Sequence, residues 1–131
     1  MAIVKVSGIE TEYGIFVRGT ESNPVLASSM LINSYIESHS RDFETDVPAW
    51  NFDDEQPGAD ARGFTLESAM PPEVEMHLVN AVLTNGARYY VEHAHPECST
   101  PECRTTTETV LYDRAAEEIM RLSMERAKTM L

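Results

Sequence analysis

Two cysteines, one tryptophan and ten Lys/Arg in 131 residues are low counts, and each scarcity excludes something. Cys98 and Cys103 are too few for a disulfide framework, so both are expected as reduced thiols. Twenty-two Asp/Glu set against those ten basic residues leave a net charge of −12 and no basic cluster to displace phosphate counterions. That balance argues against nucleic acid and against anionic membrane surfaces as partners. No apolar run approaches the roughly 20 residues that span a bilayer, and the opening MAIVKVSGIE lacks the basic flank and apolar stretch of a signal peptide. The expectation is a cytoplasmic protein. With 42% hydrophobic residues the chain can bury one modest core and has no room for two domains. Internal repeats and low-complexity tracts are absent.

What the sequence does have is chemistry concentrated in Arg88 to Cys103, RYYVEHAHPECSTPEC. Asn85-Gly86 just upstream is a two-residue hairpin signal, because both positions tolerate positive φ, so a strand should follow. Period-two alternation then puts Ala87, Tyr89, Val91 and His93 on a core face, and Arg88, Tyr90 and Glu92 on the other. Three functional groups on one strand face mark a candidate site. Pro96 cannot donate to a ladder and is expected to end or bend the strand, turning Glu97 toward Glu92 and Tyr90.

Residues 2–17 are β-branched and alternating, which predicts a first strand bent near Gly8 and ending near Gly14. Glu10 and Glu12 share one face of it, about 7 Å apart, away from Ile9, Thr11, Tyr13 and Ile15. Two such carboxylates belong either to a solvated edge or to a site for a hard cation such as Mg²⁺ with a nucleotide's phosphates. Asn23-Pro24 opens a helix to about Ser38, with Val25, Leu26, Met30, Leu31, Tyr35 and Ile36 at helical spacing. From about Ser40 to Pro72 the character changes to eight Asp/Glu against two Arg, broken by Pro and Gly. This long acidic insertion reads as a lid or a tether, and Trp50, Phe52 and Phe64 favour a segment that docks. Glu75 to Leu83 predicts a strand paired with the Arg88 strand. Thr105 and Glu108 form a capping box for a helix lined by Val110, Leu111, Ala115, Ile119, Leu122 and Ala127. The order strand, helix, loop, hairpin, helix is α+β, with an antiparallel or mixed sheet.

Three ordered motifs carry a resemblance: GIETEYGI at 8–15, the stretch from Trp50 to Phe64 ending DARGF, and LTNGARYYVEHAHPECSTPEC at 83–103. Together they resemble the N-terminal part of the Pup ligase and depupylase family, and the resemblance spans essentially the whole chain. The insertion before NGAR is similar to one found in depupylases and absent from the ligases. The resemblance implies part of a glutamine-synthetase-like fold whose sheet cradles ATP and Mg²⁺, acting on the C-terminal Glu or Gln of the small modifier Pup. It implies Glu10, with Glu12 beside it, Tyr90 and Glu97 as metal ligands, Arg88 and Thr100 as ATP contacts, and Glu92 at the position of the catalytic Asp.

Two departures from the family pattern stand out. Glu92 replaces Asp, and one extra methylene moves the carboxylate by about an ångström. Cys98 replaces the usual Tyr, and with His93, His95 and Cys103 it forms either a zinc set of unusual spacing or, more simply, a packed thiol. Family members are several times longer, which implies a fragment, or a second polypeptide that completes the catalytic domain. Three functions follow from the resemblance: an ATP-dependent depupylase or deamidase acting on a γ-linked amide of Pup or a Pup-like modifier, a Pup-type ligase, or a non-catalytic subunit of such an enzyme.

Overall fold

A computed structural model describes residues 5–19, 23–39 and 79–130. In chain order these form β1 (Glu10–Glu12), α1 (Pro24–His39), β2 (Asn80–Val82), β3 (Arg88–Glu92), β4 (His95–Ser99) and α2 (Thr106–Ala127). The strands make one sheet in the order β1-β4-β3-β2, with every neighbouring pair antiparallel. The class is therefore α+β as expected, and of the two sheet types the antiparallel one is realised. The insertion at about 40–72, with Trp50, Phe52, Arg62 and Phe64, and the upstream part of the strand expected from Glu75 lie outside the described residues.

Both helices begin where the sequence provides a cap. Asn23 Oδ1 accepts from the N–H groups of Val25 (2.9 Å) and Leu26 (3.3 Å), and Pro24 fills the first turn, where no donor is needed. Thr105 Oγ1 accepts from the Glu108 N–H (3.1 Å), and the Glu108 carboxylate accepts in return from the Thr105 N–H (3.1 Å). The helices cover one face of the sheet. Leu31 and Ile32 from α1 and Ala116 and Met120 from α2 meet Leu83, Ala87, Tyr89, Val91 and Cys98, with Tyr13 and Ile15 packed at the margin. Each such large side chain buried contributes about 1.5–3 kcal/mol.

The apolar stripes lie largely where spacing puts them, with Val25 and Leu31 buried and Tyr35, Ile36, Ile119 and Ala127 packed against the core. Leu26, Val110 and Leu111 are exposed, while α2 buries Thr109, Ala116, Met120 and Ser123, and α1 buries Ser28, Ser29 and Ser34. At Ser123 a small hydroxyl side chain lies where the layers meet, beside the Tyr89 hydroxyl. The latter donates to Ser123 Oγ (3.2 Å), and Ser34 Oγ reaches the Ser123 carbonyl (3.0 Å). Apolar periodicity does not register serines.

The turns also correct the sequence reading. Between β2 and β3 the loop has three residues, Thr84 to Gly86, closed by Leu83 N–H to Ala87 O (2.7 Å); only Gly86 takes positive φ, at 84°, and Asn85 instead accepts from the Ala87 N–H (3.0 Å). The two-residue turn lies further on, at His93 (φ 47°) and Ala94 (φ 68°). His93 is thus an exposed turn residue rather than a core one, and the strand ends before Pro96 instead of at it. Pro96 sits inside β4 opposite Val91. The carbonyl of Pro96 accepts from the Tyr13 N–H (3.0 Å), and the pairing of β1 stops there because proline has no N–H to return.

Candidate active site

The tight turn at His93-Ala94 sets the register that builds the site. Glu92 pairs with His95, Tyr90 with Glu97 and Arg88 with Ser99; across the other side of β4, Glu12 pairs with Glu97 and Glu10 with Ser99. Side chains two apart share a face, so Glu10, Glu12, Arg88, Tyr90, Glu92, His95, Glu97 and Ser99 all lie on the side of the sheet opposite the helices. Ordinary alternation on a new strand delivers Glu97 to this face; no re-aiming by Pro96 is involved.

Tyr90 is the hub. Its ring is fully buried beneath the Arg88 guanidinium, whose Cζ lies 3.6 Å from the ring centroid, and Arg88 Nε donates to Asn80 Oδ1 (3.0 Å). The Tyr90 hydroxyl donates to Glu10 Oε1, lies 2.9 Å from Glu97 Oε2 and 3.2 Å from Ser99 Oγ, and Ser99 Oγ in turn donates to Glu10 Oε1 (2.9 Å). One phenolic proton cannot serve two carboxylates at once. These bonds hold Glu10 below the usual carboxylate range. Glu97, only 5% exposed, is pushed up by burial, with the Tyr90 bond opposing and the charges of Glu92, Glu10 and Glu12 adding to the rise. Burial and its carboxylate neighbours Glu10 and Glu97 keep the Tyr90 phenol firmly protonated.

One carboxylate oxygen from each of Glu10, Glu92 and Glu97 lies within 4.8 Å of the others. Three hard oxygen donors at that spacing, one of them buried against its own charge, fit a magnesium ion, which takes oxygen ligands and would relieve the repulsion. Glu12 lies outside this group, its carboxylate turned to His95 Nδ1. Like charges directly opposed across a ladder repel, and Glu12 faces Glu97, so the turn to the diagonal histidine has a physical cause. His93 Nδ1 lies 3.8 Å from Glu92 Oε1 at the rim.

Thr100 closes the other end of the ladder. Its Oγ1 accepts from the Ile9 N–H (2.9 Å) and its own N–H donates to the Ile9 carbonyl (2.8 Å). A Cβ at Gly8 would lie 3.1 Å from that oxygen, tighter than an ordinary contact. The zinc set does not assemble: Cys98 faces the helices in the core, where burial raises its thiol to about 11, while His95 points to the opposite face and His93 into the turn. Cys98 is the packed thiol.

Sequence reasoning passed over Ser99, Asn80 and His95 as partners, and two tethers beneath β1. Thr11 Oγ1 donates to Asp113 Oδ1 (3.1 Å), and Ser7 Oγ meets Thr109 Oγ1 (3.1 Å), pinning the edge strand to α2.

The sequence profile of the Pup-ligase protein family matches residues 5–131. The depupylase of Acidothermus cellulolyticus is 43% identical over 134 aligned positions, covering 94% of this chain and 25% of that protein. The Pup deamidase/depupylase of Mycobacterium tuberculosis is 40% identical over 122 positions, 88% of this chain and 24% of its own length. The Pup–protein ligase of Corynebacterium diphtheriae is more distant, at 27% over 128 positions, 97% of this chain and 20% of its own length. The chain spans about a quarter of the length of the curated relatives it matches. A family match over nearly all of its residues, running through the carboxylate-bearing strands, shows that this chain belongs to the Pup-ligase protein family.

Proposed function

We propose that this chain supplies part of the active site of an ATP- and magnesium-dependent hydrolase of the depupylase type. Its substrate is the γ-linked amide or isopeptide bond that joins Pup, or a Pup-like modifier, to a modified protein. The observation that carries the reading is the convergence of Glu10, Glu92 and Glu97 around the Tyr90 hydroxyl, with Arg88 in the adjacent row. Higher identity to depupylases than to ligases favours the hydrolase. In this reading the four-stranded sheet is one part of a larger glutamine-synthetase-like sheet.

Glu10 and Glu97, with one oxygen of Glu92, would hold the magnesium ion, with Tyr90 between them and Glu12 outside the set, turned to His95; the ion, when bound, would supply neutralisation of phosphate charge. Arg88, fixed by Asn80 and by the Tyr90 ring, presents a guanidinium to ATP, and Thr100 lies at the ladder end as a second contact. Glu92 stands on the same face with one carboxylate oxygen toward the set, and acts as the base that assists a nucleophile at the γ-linked amide.

The test is a chimera in which residues 5–131 replace the matching quarter of the Acidothermus cellulolyticus depupylase. Release of Pup from a conjugate with little continuing ATP consumption is expected, and Glu92→Ala should abolish it. Amide formation with stoichiometric ADP would assign the ligase reaction instead. A chimera that binds ATP and magnesium but does neither would make the segment a binding element, and unchanged turnover in Glu92→Ala would remove Glu92 from the chemistry.

A further inference from the structure

Glu92 is the last residue of β3, and the two residues that follow it are both in the left-handed region without being glycine, His93 at φ 47° and Ala94 at φ 68°. L-residues enter that region against steric cost, and such conformations persist only where the surroundings enforce them. The enforcing contact is visible. Ser28 on α1, fully buried, donates its hydroxyl to the Ala94 carbonyl at 2.8 Å, and Ala94 itself has no exposed surface. The turn is therefore clamped from the helix layer while its own backbone resists, and Glu92 and His95 are the residues on either side of it.

We propose that Ser28 and the constrained His93-Ala94 turn are positioning elements for Glu92: they hold the end of β3 so that its carboxylate stays with those of Glu10 and Glu97. A two-residue turn leaves no slack between the strands, so the pairing Glu92 to His95 and the cross-strand placement of Glu97 opposite Tyr90 are fixed together. The Ser28 hydroxyl bonds the Ala94 carbonyl and acts through it. The proposal rests on the reading of Glu10, Glu92 and Glu97 as one cation-holding set.

Relieving the constraint separates positioning from stability. His93 is exposed, so His93→Gly removes little packing and releases steric cost: the melting temperature should stay unchanged or rise, while Mn²⁺ affinity, read by electron paramagnetic resonance on the 131-residue chain, falls about tenfold. His93→Ala removes the imidazole but keeps the constraint, and should bind Mn²⁺ like the native chain. Ser28→Ala should speed amide exchange at Ala94 and His95 and weaken Mn²⁺ about tenfold. If His93→Gly binds Mn²⁺ as the native chain does, or if affinity falls equally in His93→Ala, the turn does not position Glu92. Unchanged turn exchange in Ser28→Ala overturns the clamp. A native chain that shows no saturable Mn²⁺ site overturns the reading of the carboxylate set itself, and the positioning role falls with it.

Discussion

Tyr90→Phe removes one oxygen from the centre of the polar face and leaves the ring, and therefore the packing beneath Arg88, in place. What is lost is a donor aimed at two carboxylates, Glu10 and the nearly inaccessible Glu97 at 2.9 Å. Only one is served at a time, so the loss is one charge-assisted hydrogen bond, worth about 2 kcal/mol, or roughly 8 °C in melting temperature for a chain of this size. The pH dependence identifies the cause. Glu97 has a folded pKa raised above its free value of 4.5, so its contribution is intact below that pH and is lost as pH rises through the folded value; the Tyr90 donor limits that loss. Glu10 is shifted the other way, so its contribution exists above 4.5 and is lost on acidification, and Tyr90 is the first cause of that shift. Both effects make the hydroxyl matter when the carboxylates are ionised. The destabilisation by Tyr90→Phe, followed by circular dichroism without divalent cations, should be small near pH 3.5 and reach its full size by pH 7. Tyr89→Phe is the control on the opposite face: its hydroxyl meets Ser123 Oγ at 3.2 Å and Met120 Sδ at 3.7 Å, neutral partners, so its cost should be about 1 kcal/mol and flat with pH. A Tyr90→Phe effect that is no larger than that of Tyr89→Phe, or that does not change with pH, would refute the account of the hub.

Glu97→Gln removes the buried charge that its neighbours oppose, so the metal-free chain should melt higher at pH 7.5 and lose its divalent-cation response, both readable in one thermal scan with and without Mg²⁺. Thr11→Val cuts the tether from β1 to Asp113 with little change in shape; a loss of about 1 kcal/mol and faster amide exchange at Tyr13 and Thr100 are expected, with Thr11→Ser restoring both. Glu12→Gln should leave Mn²⁺ affinity within about twofold of native, while Glu10→Gln reduces it at least about tenfold, because Glu12 faces His95 and not the carboxylate set. Equal effects of the two substitutions in a titration would return Glu12 to the ligands.

Local signals in the sequence carried much of this architecture. The Asn23-Pro24 and Thr105/Glu108 caps start the helices where they are expected, and alternation along Arg88 to Glu92 sorts that strand onto the correct faces. Glycine and proline mark only some of the chain reversals here. Asn85-Gly86 looked like the tight turn and is a three-residue loop, whereas the tight turn uses His and Ala, residues that tertiary contacts force to positive φ. Missing that turn displaced His93 into the core and left Glu97 without a strand. Apolar periodicity does not register the buried serines of α1 or the Ser123 partner of Tyr89, and the partners that Ser28, Ser34 and Ser123 find lie across the layers, far away in sequence. Glu10 and Glu12 shared a face in the sequence reading, and their separation into a member of the carboxylate set and a partner of His95 required the register with β4.

The central claim is that three carboxylates from β1, β3 and β4 form one divalent-cation site, and isothermal titration of Mn²⁺ into the 131-residue chain tests it most directly. One saturable site is predicted for the native chain, weakened at least about tenfold by Glu10→Gln and by Glu97→Gln alike, because each removes one charged ligand of the same ion. Absence of saturable binding, or binding that survives both substitutions unchanged, would contradict the account.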